Sequence, residues 1–130
     1  MIVDSSALIA IVTKEAEGPS FARLIDKTAN VSMSAATYLE TAIVLDRRED
    51  PSRTARLDDL IEELKIEIVP FTPTQARIAR QAYRDYGRGS GHPANLNFGD
   101  CFSYALARDK REPILYKGDD FGHTDLRPAM

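Results

Sequence analysis

Apolar positions along this chain fall into short continuous runs and longer stretches of three- and four-residue spacing, in regular alternation. Met1 to Val3 is an apolar run cut by Asp4-Ser5-Ser6, which predicts a buried strand handing over to an N-capped helix from Ala7 to about Thr13. After Glu17-Gly18-Pro19 the spacing of Phe21, Leu24 and Ile25 predicts a second helix ending near Thr28, and Asn30 to Met33 a second strand. Ser34 caps a third helix, Ala35 to about Arg48, with Leu39, Ala42, Ile43 and Leu45 read as its core side and Asp50-Pro51 as its end. Ser52 to Leu64 repeats the helical spacing, Ile66 to Val69 reads as a strand, and Thr74 to Tyr86 as the next helix. Gly87 to Asn97, with three glycines and a proline, is the one long irregular stretch. A helix from Asp100 to about Asp109, a strand from Ile114 to Tyr116 and an acidic turn from Gly118 to Asp125 follow.

Strands alternating with helices predict a three-layer α/β/α fold around a short, mostly parallel sheet. At 130 residues the expectation is a single domain, 1–130, and 43% hydrophobic with 28% charged residues excludes a disordered chain. No apolar run approaches the roughly 18 residues of a membrane span, and the start lacks a basic leader, so a soluble cytoplasmic protein is expected. One cysteine and two histidines exclude an internal disulfide and a closed Cys/His zinc site, so a metal would be held by oxygen ligands. The net charge of −3 removes any argument from bulk basicity; binding a polyanion needs a local cause. No glycine-rich phosphate loop occurs, and neither Cys101 nor Ser103 has a histidine near it in sequence to make a nucleophilic pair.

The acids are judged by their neighbourhoods. Asp4 lies between two apolar runs, where it is either a helix cap or a ligand. Glu40 has Ala36, Thr37, Ile43 and Val44 as its helical neighbours, a mostly apolar setting that raises a carboxyl pKa unless a cation or hydrogen bonds hold it ionised. Asp100 opens its helix, and Asp119 and Asp120 follow the last strand. In a parallel α/β unit these positions share one edge, outside the carboxyl ends of the strands. Carboxylates gathered there repel one another, and Mg²⁺ or Mn²⁺ relieves the repulsion while keeping positions open for phosphate oxygens. Phosphodiester hydrolysis is the chemistry that follows.

Three blocks carry a family resemblance: MIVDSSALIAIV, SAATYLETAIVLDRR and LNFGDCFSYALARDKREPILYKGDDFGHTDL. In this order they resemble the PIN-domain ribonuclease toxins of the VapC type, over essentially the whole chain. The resemblance implies a Mg²⁺- or Mn²⁺-dependent endoribonuclease of a type II toxin–antitoxin pair, restrained by a VapB-like antitoxin, homodimeric, and reaching operator DNA only through that antitoxin. Asp4, Glu40 and Asp100 match the family's central acids; the fourth is Asp120 or its neighbour Asp119, with Asp120 preferred. Ser5 and Thr37 are candidates for orienting those ligands. Arg84, Arg88 and His92 are candidates for an RNA-binding rim, beside which Tyr83, Tyr86 and Phe98 would stack on bases or pack in the core. Two other readings stand beside this one: a non-catalytic α/β binding module, and a phosphoaspartyl receiver or phosphatase-like domain, which would need a second aspartate two positions after the first where this chain has Ser6.

Overall fold

In the computed structural model, which describes residues 1–48 and 50–130, four short strands make the centre. They are β1 (Ile2–Val3), β2 (Ser32–Ser34), β3 (Glu67–Val69) and β4 (Ile114–Leu115), in the order β3-β2-β1-β4. Every strand pairing is parallel: Ile2 stands opposite Ser32 on one side and Ile114 on the other, and Met33 opposite Ile68. Parallel neighbours require crossovers, and helices supply them. α1 (Ser5–Val12) and α2 (Gly18–Lys27) link β1 to β2, and α3 (Ala35–Asp46) and α4 (Pro51–Glu63) link β2 to β3. α5 (Pro73–Tyr86) and α6 (Asp100–Lys110) lead on to β4.

The helix starts are written in the local sequence. Asp4, Ser34, Asp50 and Thr72 each sit at an N-cap in extended backbone, their side-chain oxygens accepting the N–H of Ser6, Ala36, Ser52 and Gln75. Proline in the first turn starts α2, α4 and α5, where its missing N–H costs nothing.

Because side chains alternate across a strand, the two residues of β1 serve different layers. Val3 joins Leu8, Ile11, Ile25, Leu45 and Leu57 on the α1–α4 side, while Ile2 joins Ala105, Leu106 and Ile114 on the α5–α6 side. β4 divides likewise, Leu115 to the first core and Ile114 to the second. Among the described residues no helix is long and apolar enough to cross a membrane.

α3 departs from its sequence reading. Leu39 is 60% exposed and Ile43 41%, whereas Thr37, Thr41 and Leu45 are buried. The threonines tolerate burial because their hydroxyls are satisfied: Thr41 donates to the Thr37 carbonyl at 2.7 Å, and Thr37 Oγ1 lies 3.2 Å from Ser103 Oγ on α6. The polar-looking side of α3 thus faces inward and part of its apolar side faces water. Other element boundaries fall within a few residues of expectation, β2 extending to Ser34 and α1 beginning at Ser5.

Candidate active site

The order β3-β2-β1-β4 puts β1 between β2 and β4, so the chain runs outward from β1 in opposite directions across the sheet, and the crevice beyond its carboxyl end is where such sheets bind ligands. Asp4 is the residue that leaves β1 there. It is 2% exposed, a costly place for a carboxylate without partners. It has three: Oδ2 accepts from Ser6 N at 3.1 Å and from Ser6 Oγ at 2.7 Å, and Oδ1 accepts from Ser103 Oγ at 2.6 Å. Asp4 therefore caps α1 with one oxygen and reaches α6 with the other.

Glu40, in the second turn of α3, is half-buried against Gly99. A Cβ built on Gly99 would overlap the Glu40 carboxylate, so a larger residue here would displace the Glu40 side chain from its present place. Burial pushes the Glu40 carboxyl above its ordinary value, the Asp4 charge adds to this, and the Ser5 hydroxyl opposes it.

Asp100 opens α6 in a reciprocal pair with Asn97. Its Oδ2 accepts from Asn97 N at 2.9 Å, and its own N–H donates to Asn97 Oδ1 at 2.8 Å. Burial, working against the Asn97 N–H, pushes its carboxyl up to about 7, with Asp4, Asp120 and Glu40 each adding repulsion. Asp120 follows β4 in an exposed segment. Asp119, also exposed, is absent from the charges acting on Asp100, which separates the two adjacent acids by position.

The charges of Asp4, Glu40 and Asp120 thus all act on Asp100, and that of Asp4 on Glu40. Among the described residues, no three Asp, Glu, His or Cys side chains converge closely enough to ligate one ion as they stand. The donor chemistry nevertheless fits a hard cation: carboxylate oxygens only, with burial and then the neighbouring acidic charges raising Glu40 and Asp100. It does not fit thiol chemistry, since burial and the Asp100 charge push the Cys101 thiol up to about 11 and its Sγ lies 3.4 Å from the Asn97 carbonyl.

The expected basic rim divides between two sides of α5. Arg84 lines an apolar groove of about 430 Å³ with Arg80, Tyr83, Phe98 and Phe102. Tyr86 belongs to a different, polar cleft with Tyr104 and Arg108, and His92 sets its ring edge-on to Tyr86 at 4.8 Å. His92 Nδ1 also accepts the Ala94 N–H at 3.1 Å, so this histidine organises the irregular stretch. Arg88 is exposed, its backbone N–H donating to Leu96 O. Arg80 was not singled out in sequence, although its four-residue spacing from Arg84 places both on one helix face.

Ser103, Ser6 and Asn97 are the site neighbours that sequence reading passed over. The signals existed: Ser103 stands one turn after Asp100, Ser6 two residues after a capping Asp, and Asn97 three before Asp100.

This chain, with its short parallel sheet flanked by helices, matches the PIN-domain family model over residues 1–126 and is a PIN domain. Over its full 130 residues it is 55% identical to Ribonuclease VapC28 of Mycobacterium tuberculosis, covering 98% of that protein. It belongs to the VapC ribonucleases. Among solved structures, the sarcin-ricin-loop-cleaving toxin VapC20 of Mycobacterium tuberculosis superposes with TM-score 0.73 at 22% identity, covering 98% of each chain. VapBC2 from Rickettsia felis, bound to a promoter DNA fragment, matches with TM-score 0.71 at 8% identity, over 98% of this chain and 94% of that one. At such identities the likeness is one of fold.

Proposed function

We propose that this chain, as a single domain, is an endoribonuclease toxin that hydrolyses RNA phosphodiester bonds with the help of Mg²⁺ or Mn²⁺. The observation that carries this reading is the position of Asp100, whose carboxyl burial pushes up to about 7 while the charges of Asp4, Asp120 and Glu40 add repulsion. Those four are the proposed ligands and catalytic acids, Asp120 being preferred to Asp119 for its reach to Asp100. When bound, the cation supplies positive charge to the phosphodiester oxygens and acidifies a water. The chain's own part is to hold the acids in place: Ser6 and Ser103 fix Asp4, Asn97 fixes Asp100, and Ser5 and Gly99 shape the seat of Glu40. Thr37 acts through Ser103. Arg84, joined by Arg80, offers charge to the RNA backbone; Arg88 and His92 hold a secondary place in that role.

A VapB-like antitoxin is the proposed inhibitor and the route to operator DNA, with both proteins in the cytoplasm. The chain is also proposed to pair with itself. Leu39 and Ile43 on α3, Ile68 on the edge strand β3, and Tyr83 and Phe98 flanking the apolar groove leave large apolar side chains in water, and a second copy would cover such surface.

Purified chain freed of its inhibitor is expected to cut RNA with Mg²⁺ or Mn²⁺ and to stop on addition of a chelator, as read on a labelled RNA by gel. Cleavage that continues in chelator would overturn the metal-dependent mechanism.

A further inference from the structure

The Asp4 carboxylate is held by two hydroxyls, and each hydroxyl is itself oriented by a donor behind it. On one side, Ser103 Oγ lies 2.6 Å from Asp4 Oδ1 and 3.2 Å from Thr37 Oγ1, all three residues being buried. A serine hydroxyl has one proton, and an ionised carboxylate can only accept. That proton goes to Asp4, so Thr37 must donate to Ser103. On the other side, Ser6 Oγ donates to Asp4 Oδ2 at 2.7 Å and accepts the Lys117 N–H at 2.9 Å.

The donors come from the segments that carry the other three acids. Thr37 is one helical turn before Glu40 on α3, Ser103 one turn after Asp100 on α6, and Lys117 three residues before Asp120. A single polar chain therefore runs Thr37 to Ser103 to Asp4 and Lys117 to Ser6 to Asp4, tying all four acid-bearing segments to one carboxylate. Along the buried arm from Thr37 through Ser103 to Asp4, the hydrogen bonds reinforce one another.

From this we infer that Ser103 is a positioning residue: it fixes the orientation of Asp4 relative to Glu40 and Asp100, with Thr37 acting only through it. The inference rests on the proposed metal-dependent reading of the site. Removing the Ser103 hydroxyl frees one oxygen of Asp4 to turn and leaves the Thr37 hydroxyl without its acceptor, while changing the packed volume by one oxygen atom.

Calorimetric titration of the purified chain with Mn²⁺ alone tests this, with thermal melting as the control for folding. Ser103→Ala is expected to bind Mn²⁺ about 10- to 100-fold more weakly than wild type, the usual effect of losing an outer partner of a metal ligand. Thr37→Val is expected to weaken binding less, and the double variant to match Ser103→Ala, because Thr37 has no separate path to Asp4. Ser103→Cys, which refills the volume with a weak donor, should lie between Ser103→Ala and wild type. Wild-type affinity in Ser103→Ala or Ser103→Cys would overturn the positioning role, and so would additive losses in the double variant. Wild-type chain that takes up no Mn²⁺ sinks the metal reading itself, and this inference with it.

Discussion

Asp100→Asn is expected to fold and to cleave RNA at least about 10²- to 10³-fold more slowly than wild type, the loss typical of deleting one group that stabilises transition-state charge. Its size is preserved and its N–H still reaches Asn97 Oδ1, so the start of α6 should survive. A second consequence separates this variant from a merely damaged one. With its carboxyl raised to about 7 in the fold, Asp100 binds its proton more tightly folded than unfolded. Stability in the absence of divalent ions is therefore highest below about pH 4 as far as this group is concerned, and falls as pH rises toward 7, where the unfolded chain has released the proton first. The loss is on the order of a few kcal/mol at most, reduced because the carboxylate still meets some water. Asp100→Asn should flatten that part of the pH profile and be the more stable protein at pH 8. Initial rates on a defined RNA and denaturant melts across pH read both effects; a variant that cleaves at the wild-type rate would remove Asp100 from the mechanism.

Millimolar Mn²⁺ is expected to raise the melting temperature of the wild-type chain substantially. Ligand at 100 times its Kd contributes about 2.7 kcal/mol, which for a domain of this size corresponds to roughly 10 °C. The rise should be larger at pH 8 than at pH 5, because protons and cation compete for the raised carboxyls of Glu40 and Asp100. It should largely disappear in Asp4→Asn, where asparagine retains the capping oxygen for α1 but the charge is gone. Equal shifts in wild type and Asp4→Asn would place the ion elsewhere on the protein.

The layered α/β/α plan was legible because each short apolar run is followed by a capping residue and a helix-spaced stretch, and both signals are local. The expectation that Asp4, Glu40 and Asp100 share one edge came from topology: Asp4 leaves β1, Glu40 lies in the second turn of the helix after β2, and Asp100 opens the helix that leads to β4. The facing of α3 was not. Apolar periodicity marks Leu39 and Ile43 as inward, but Thr37 and Thr41 satisfy their hydroxyls within the protein and take the buried side, while the apolar pair remains exposed. Ser103 was read as a nucleophile lacking a histidine; its place one turn after Asp100 puts it near the site, but its bond to Asp4 spans 99 residues of sequence. The choice between Asp119 and Asp120 lay beyond spacing arguments because adjacent residues in an irregular segment have no fixed facing, and only their different reach to Asp100 separates them.

Gly99 brings no functional group to the crevice, yet any side chain added there would push the Glu40 carboxylate from its place. Disarming the protein in a growing culture therefore need not touch an acid at all. Every missense change in that glycine codon adds a side chain, and colonies that outlive unopposed expression should carry such changes at a residue invisible to a search for chemistry.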